Sequence, residues 1–63
     1  MPVITLEAAS LTTEQKRRLA EEFTESASRI MNMPKESFYV FLKKNILENV
    51  GVGGILLSDR KHS

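Results

Sequence analysis

Pro2 has the most unusual chemistry to offer in this sequence. A small residue at position 2 permits removal of Met1, and Pro2 would then carry a free secondary amine at the start of a strand. An α-amino group has a reference pKa of about 7.7–8.0. Apolar surroundings disfavour the ammonium form and lower that value. At a pKa of about 8, roughly 10% is free base at pH 7; at about 6.5, roughly 75% is. A chain terminus of this kind is a general base. Taken alone, Met-Pro is more simply the start of an edge strand, where proline is tolerated.

Other chemistries are excluded by residue type. There is no Cys, so disulfides, thiolate metal sites and thiol catalysis are out. The single histidine, His62, lies in a polar tail, which leaves neither a multi-histidine metal site nor a Ser/His/acid set. Gly51-Val52-Gly53-Gly54 has no following helix and no P-loop lysine, so it does not cradle phosphate. Glu21, Glu22 and Glu25 read as the solvated face of a helix. Nine Lys/Arg against eight Asp/Glu give a net charge of +1, with no concentrated basic surface for nucleic acid. The longest near-apolar stretch, Val50–Leu57, is far short of the roughly 20 residues a membrane helix needs. The start lacks the basic and apolar regions of a secretory signal. A soluble, cytoplasmic protein without a membrane or nucleic-acid partner is the expectation.

The elements that must position Pro2 follow from periodicity. Pro2–Ala8 alternates as a strand, with Ile4 and Leu6 on one face and Val3, Thr5 and Glu7 on the other. Thr12 fits a helix N-cap, and Gln15 can close a capping box. Leu19, Ala20, Phe23, Ala27, Ile30 and Met31 draw one apolar helical stripe. Glu25 and Arg29 are spaced as an i,i+4 ion pair. Pro34 ends the helix near Asn32. Phe38–Lys44 predicts a second strand, with Phe38, Val40 and Leu42 on one face and Tyr39, Phe41 and Lys43 on the other. The glycines after Val50 predict a terminal hairpin, and Ser58–Ser63 a frayed tail.

Strand, long helix and strand make an α/β (α+β) unit: one βαβ domain over residues 1–63, with parallel strands and a C-terminal hairpin. At 63 residues such a domain buries only roughly 60% of its unfolded surface. Both faces of the second strand are apolar, and a single helix covers one of them. Without disulfides or metal, association with further copies is the staple left.

Met1-Pro2-Val3-Ile4, then Thr13-Glu14-Gln15-Lys16 opening an amphipathic helix, then Pro34 before an apolar strand, then Gly51-Val52-Gly53-Gly54, together resemble the 4-oxalocrotonate tautomerase family. The resemblance covers residues 2 to about 57. It implies a βαβ subunit assembled as a homohexamer, a trimer of dimers. It also implies Pro2 as catalytic base in a keto–enol or related 1,3-proton shift on an enol or dienol of a 2-oxo acid, without metal or cofactor.

Three positions depart from the family's pattern. Leu11 stands where the resemblance implies an arginine after the first strand. Tyr39 stands where a second is expected, and Val50 replaces an aromatic residue before the glycine turn. Those arginines hold substrate carboxylates and polarise the carbonyl, so weak turnover of dicarboxylic dienols is expected unless other groups substitute. Tyr39 can donate to an enolate oxygen, and Lys43 or Lys16 can supply positive charge. A hydratase or dehalogenase of the same superfamily would need a carboxylate to activate water, for which Glu7 and Glu48 are the candidates. A non-catalytic oligomeric binding module on the same fold is the reading from another class.

Overall fold

The helix boundaries are written in local hydrogen bonds. The computed structural model describes residues 1–60. Thr12 is extended (φ −74°, ψ 161°), and its Oγ1 accepts the Gln15 N–H at 3.1 Å while Gln15 Oε1 accepts the Thr12 N–H at 2.9 Å. This reciprocal pair satisfies two of the helix's otherwise free donors. Helix α1 then runs Thr13–Met31. It closes at Asn32, which adopts the left-handed conformation (φ 56°, ψ 48°), and the Met33 N–H reaches back to the Ser28 carbonyl at 3.2 Å. That is a Schellman closure with asparagine in the place usually held by glycine.

Strands β1 (Val3–Ala8) and β2 (Tyr39–Lys44) pair in parallel, from Val3↔Tyr39 to Ala8↔Lys44. The ladder extends one step beyond each end: the Tyr39 N–H donates to the Pro2 carbonyl at 3.0 Å, and the Asn45 N–H to the Ala8 carbonyl at 2.7 Å. Parallel pairing of adjacent strands requires a crossover, and α1 supplies it by packing against β2. A short antiparallel hairpin, β3 (Gly51–Val52) with β4 (Ile55–Leu56), follows. Gly53 and Gly54 form its two-residue loop with φ of 63° and 85°, the double positive φ of a type I′ turn.

The strands alternate as expected. Ile4, Leu6, Val40 and Leu42 are half-buried, and so are Leu19, Ala20, Phe23 and Ala27 of the helix. On the opposite face of the sheet Val3, Tyr39 and Phe41 remain about half exposed, at 47%, 50% and 48%. No described side chain is fully buried. The chain exposes 5203 Å², against about 4,100 Å² for a folded monomer of its mass by the usual scaling. The radius of gyration is 15.3 Å, where about 10.6 Å is usual for this length. A single copy leaves apolar surface that none of the described residues covers.

Local details differ from the sequence expectations. Ile30 is 77% exposed and Met31 50%, although both continue the apolar stripe. A helix of 19 residues is about 28 Å long and strands of six are about 20 Å, so the last helical turn overhangs the sheet. The ion pairs along α1 are Arg17–Glu14 at 3.6 Å and Arg18–Glu22 at 2.9 Å, not Glu25–Arg29. Leu57–Asp59 forms a 3₁₀ turn, so the polar tail expected from Ser58 begins in ordered backbone. Lys61, His62 and Ser63 lie outside the described residues. Among the described residues no helix is long and apolar enough to cross a membrane, and no three His, Cys, Asp or Glu side chains gather as a metal site would require.

Candidate active site

Pro2 sits at the head of β1. It is half-buried, in the same phase of the pleat as Ile4 and Leu6, and its carbonyl is held by the Tyr39 N–H. Proline costs nothing here, because the first position of the ladder needs its acceptor and not its missing donor. Met1 precedes it with 80% of its surface exposed.

Tyr39 opens β2 opposite Val3, one step from Pro2. The two are joined through backbone, but Tyr39 belongs to the exposed face of the sheet and Pro2 to the half-buried phase. Within one chain the phenol and the proline ring therefore do not share a face.

The remaining predicted residues gather at the other end of the strands. Leu11, Lys16 and Lys43 line one cleft of about 100 Å³, together with Ala8, Ser10, Leu42 and Lys44. Val50 lines a separate cleft of about 230 Å³ with Glu7, Ala8, Ala9, Asn45, Leu47 and Leu57. Lys43 lies four positions along β2 from Tyr39, or about 13 Å at the rise of a parallel strand. Parallel topology explains the clustering. The loop after β1 and the first turn of α1 must start where β1 ends, and β2 ends on that same side.

Glu7, one candidate for water activation, also lies at this carboxyl end. Its Oε1 accepts the Asn45 Nδ2–H at 2.7 Å. Five positions separate it from Pro2 along the strand, about 17 Å. Glu48 sits in the 3₁₀ turn Leu47–Asn49 beyond β2 and is exposed. One chain thus brings neither carboxylate to the proline.

Two residues of the carboxyl-end cleft escaped the sequence reading, Ser10 and Lys44. Strand alternation sends Lys43 and Lys44 to opposite faces. Both line the cleft because β2 ends at Lys44. The adjacent lysine pair closing an apolar strand was the available signal.

Two parallel strands under one helix, a proline at the head of the first strand and a glycine hairpin define a small βαβ protein with one face of its sheet left bare. The tautomerase enzyme family model matches residues 2–60, beginning at the proline. A probable tautomerase of Listeria monocytogenes serovar 1/2a is 37% identical over 60 residues, covering 94% of this chain and 98% of the relative. The crystal structure of a 4-oxalocrotonate tautomerase homologue superposes with a TM-score of 0.86 at 32% identity, covering 98% of this chain and 100% of that one. A heterohexameric 4-oxalocrotonate tautomerase from Chloroflexus aurantiacus J-10-fl, 21% identical, shares the fold with a TM-score of 0.83 over 97% of this chain and 100% of its own. The chain belongs to the tautomerase family, in its 4-oxalocrotonate tautomerase branch.

Proposed function

We propose that this chain, once Met1 is removed, is an isomerase that moves a proton α to a carbonyl, with Pro2 as the general base. The observation that carries the reading is Pro2 itself, half-buried at the head of β1 and standing where the family match begins. The neutral amine takes the hydroxyl proton of an enol or dienol of a 2-oxo acid and returns it at carbon to give the keto form, or in the reverse direction takes the proton from carbon and returns it at oxygen or at another carbon. A hydrogen-bond donor at the developing enolate oxygen lowers the barrier. Tyr39 is the candidate donor. Because its ring and Pro2 of the same chain occupy opposite faces, the Tyr39 that serves a given proline comes from another copy.

A hexamer supplies those copies. The bare face with Val3, Tyr39 and Phe41, the surface in excess of a folded monomer and the heterohexameric fold neighbour support this assembly.

The test compares Met-retained with Met-removed protein on phenylenolpyruvate-type and 2-hydroxydienoate substrates. Only the Met-less protein should turn over, because a residue ahead of Pro2 makes its nitrogen an amide without a basic lone pair. Its kcat/KM should rise with pH through one ionisation below about 8, since the ammonium form cannot accept a proton and an apolar site disfavours it. A 3-halopropiolate-type reagent should alkylate Pro2 in that protein alone. Equal rates from the two forms would remove Pro2 as the base. Absence of turnover in both, with Met1 retained in the native host, would favour the binding module, which Leu11 and Tyr39 in place of the family's arginines also suit.

A further inference from the structure

Helix α1 carries a hollow at one end and a projection at the other. A groove of about 340 Å³ runs along its first half, lined by Leu11, Gln15, Arg18, Leu19, Glu22 and Phe23. Leu19 and Phe23 are half-buried there. In the second half Ile30 stands out, 77% exposed. At about 100° per residue its azimuth falls between those of Leu19 and Phe23, about 20° from each. Groove and projection therefore share one face of one helix, with the small, exposed Ser26 between them.

The charges beside that face follow the same division. Glu22 and Arg29 stand on one flank of it, about 20° apart in azimuth. Arg18 donates through Nε and Nη2 to Glu22 Oε2, at 3.1 and 2.9 Å. Glu22 Oε1 accepts no hydrogen bond among the described residues and is open to a second cation. Arg29 takes part in no ion pair among the described residues, although Glu25 lies four positions before it. A helix face with a hole and an acid at one end, and a knob and a base at the other, is complementary to itself turned end for end.

We infer that α1 docks antiparallel on α1 of a second copy about a two-fold axis near Ser26, with Ile30 of each copy seated between Leu19 and Phe23 of the other and Arg29 paired with the other's Glu22. One register meets both demands. Setting Arg29 opposite Glu22 puts Ile30 midway between positions 19 and 23, on successive turns, which is how a side chain of one helix enters the gaps of its neighbour. Sliding the copies by one turn sets Arg29 against Arg18 and Glu22 against Glu25, and these like charges disfavour that alternative. Ser26 at the axis has too little bulk to hold the helices apart. The contact is separate from the bare face of the sheet. A hexamer built as three pairs needs both, a two-fold contact within each pair and a second contact between pairs. The inference goes beyond the tautomerase reading and does not depend on Pro2.

Oxidative cross-linking tests the placement in a chain that has no native Cys. S26C, beside the axis, should form a covalent dimer. R17C, on the opposite side of the helix, should not. Charge reversal tests the register. R29E and E22R each bring like charges together twice per contact, and each should raise the protein concentration at half-assembly, read by sedimentation, by about tenfold. Mixed in equal amounts, the two variants restore both ion pairs in the mixed dimer, and the midpoint should return close to that of the unaltered protein. Cross-linking of R17C as readily as S26C would overturn the contact. So would single variants that assemble like the unaltered protein, or a mixture that assembles no better than its components. None of these readouts uses activity, so the contact and the tautomerase reading fail separately.

Discussion

The two ends of the β1–β2 pair are built differently. At the amino end the chain contributes one reactive candidate, Pro2, joined to Tyr39 by a backbone hydrogen bond. At the carboxyl end it contributes three lysines, a hydroxyl, the start of a helix and the carboxylate of Glu7, which Asn45 holds. A parallel strand pair produces this asymmetry, because every connecting loop and helix start falls on one side. The candidate base at one end and the lysines at the other are separated by the length of the strands. They can act on one small molecule only if copies of the chain are arranged so that opposite ends meet. The bare face of the sheet, with Val3, Tyr39 and Phe41 about half exposed, is the apolar surface such an arrangement would bury.

The largest effect should come from breaking the assembly that joins the two ends. Phe41→Asp places a charge in the middle of the bare apolar face, where burying it against another copy is prohibitive. Sedimentation should shift from a species near six times 7.1 kDa toward single chains. Helical circular dichroism should fall with it, because the isolated subunit has no fully buried side chain. A folded, active monomer would show that one chain suffices and that the two ends need not meet.

A smaller effect should separate the ends by their need for charge. Tyr39→Arg puts a guanidinium at the head of β2 beside Pro2 and should raise kcat/KM for a dicarboxylic dienol by about tenfold or more. Leu11→Arg adds a cation to a cleft that already has three and should change the same constant by less than about threefold. Equal gains at the two positions would mean that the lysines leave their cleft short of charge.

The smallest effect concerns the scaffold of the carboxyl end alone. Thr12→Ala removes the cap that starts α1 beside Lys16 and should cost about 1 kcal/mol, within a range of about 0.5–2. Chemical denaturation at a fixed protein concentration measures it, since association contributes to apparent stability. An unchanged midpoint would mean that the helix start is held by its neighbours rather than by its own hydrogen bonds.

Much of the fold was legible because its signals are local. The capping box needs only Thr12 and Gln15 three residues apart. The strand faces need only a period of two, and the hairpin only two glycines able to take positive φ. Pro34 marked the end of α1, although the closure itself is made by Asn32 in the left-handed region. Where local signals failed, length and position decided. Ile30 and Met31 match the helical stripe but lie beyond the sheet they would cover. Glu25 and Arg29 have the right spacing, yet the ion pairs form toward the start of the helix. The Leu57–Asp59 turn opens a segment that, from Ser58, reads by composition as a tail.

The candidate site divides along the same line. Pro2 is visible in the sequence because its chemistry depends on its place at the chain start, a property of order along the chain. The unpartnered apolar face of β2 is visible as well, since both faces of Phe38–Lys44 carry large apolar groups. Only tertiary structure could decide which of Tyr39, Lys43, Lys16, Leu11 and Val50 meet. Tyr39 and Lys43 share a face in any strand reading, yet they stand at opposite ends of it. Lys16 and Lys44 lie far apart in sequence and on different elements, but line one cleft. The cause is the crossover: a helix that returns antiparallel to the strands brings its first turn to the end of β2. No periodicity within either segment encodes that encounter.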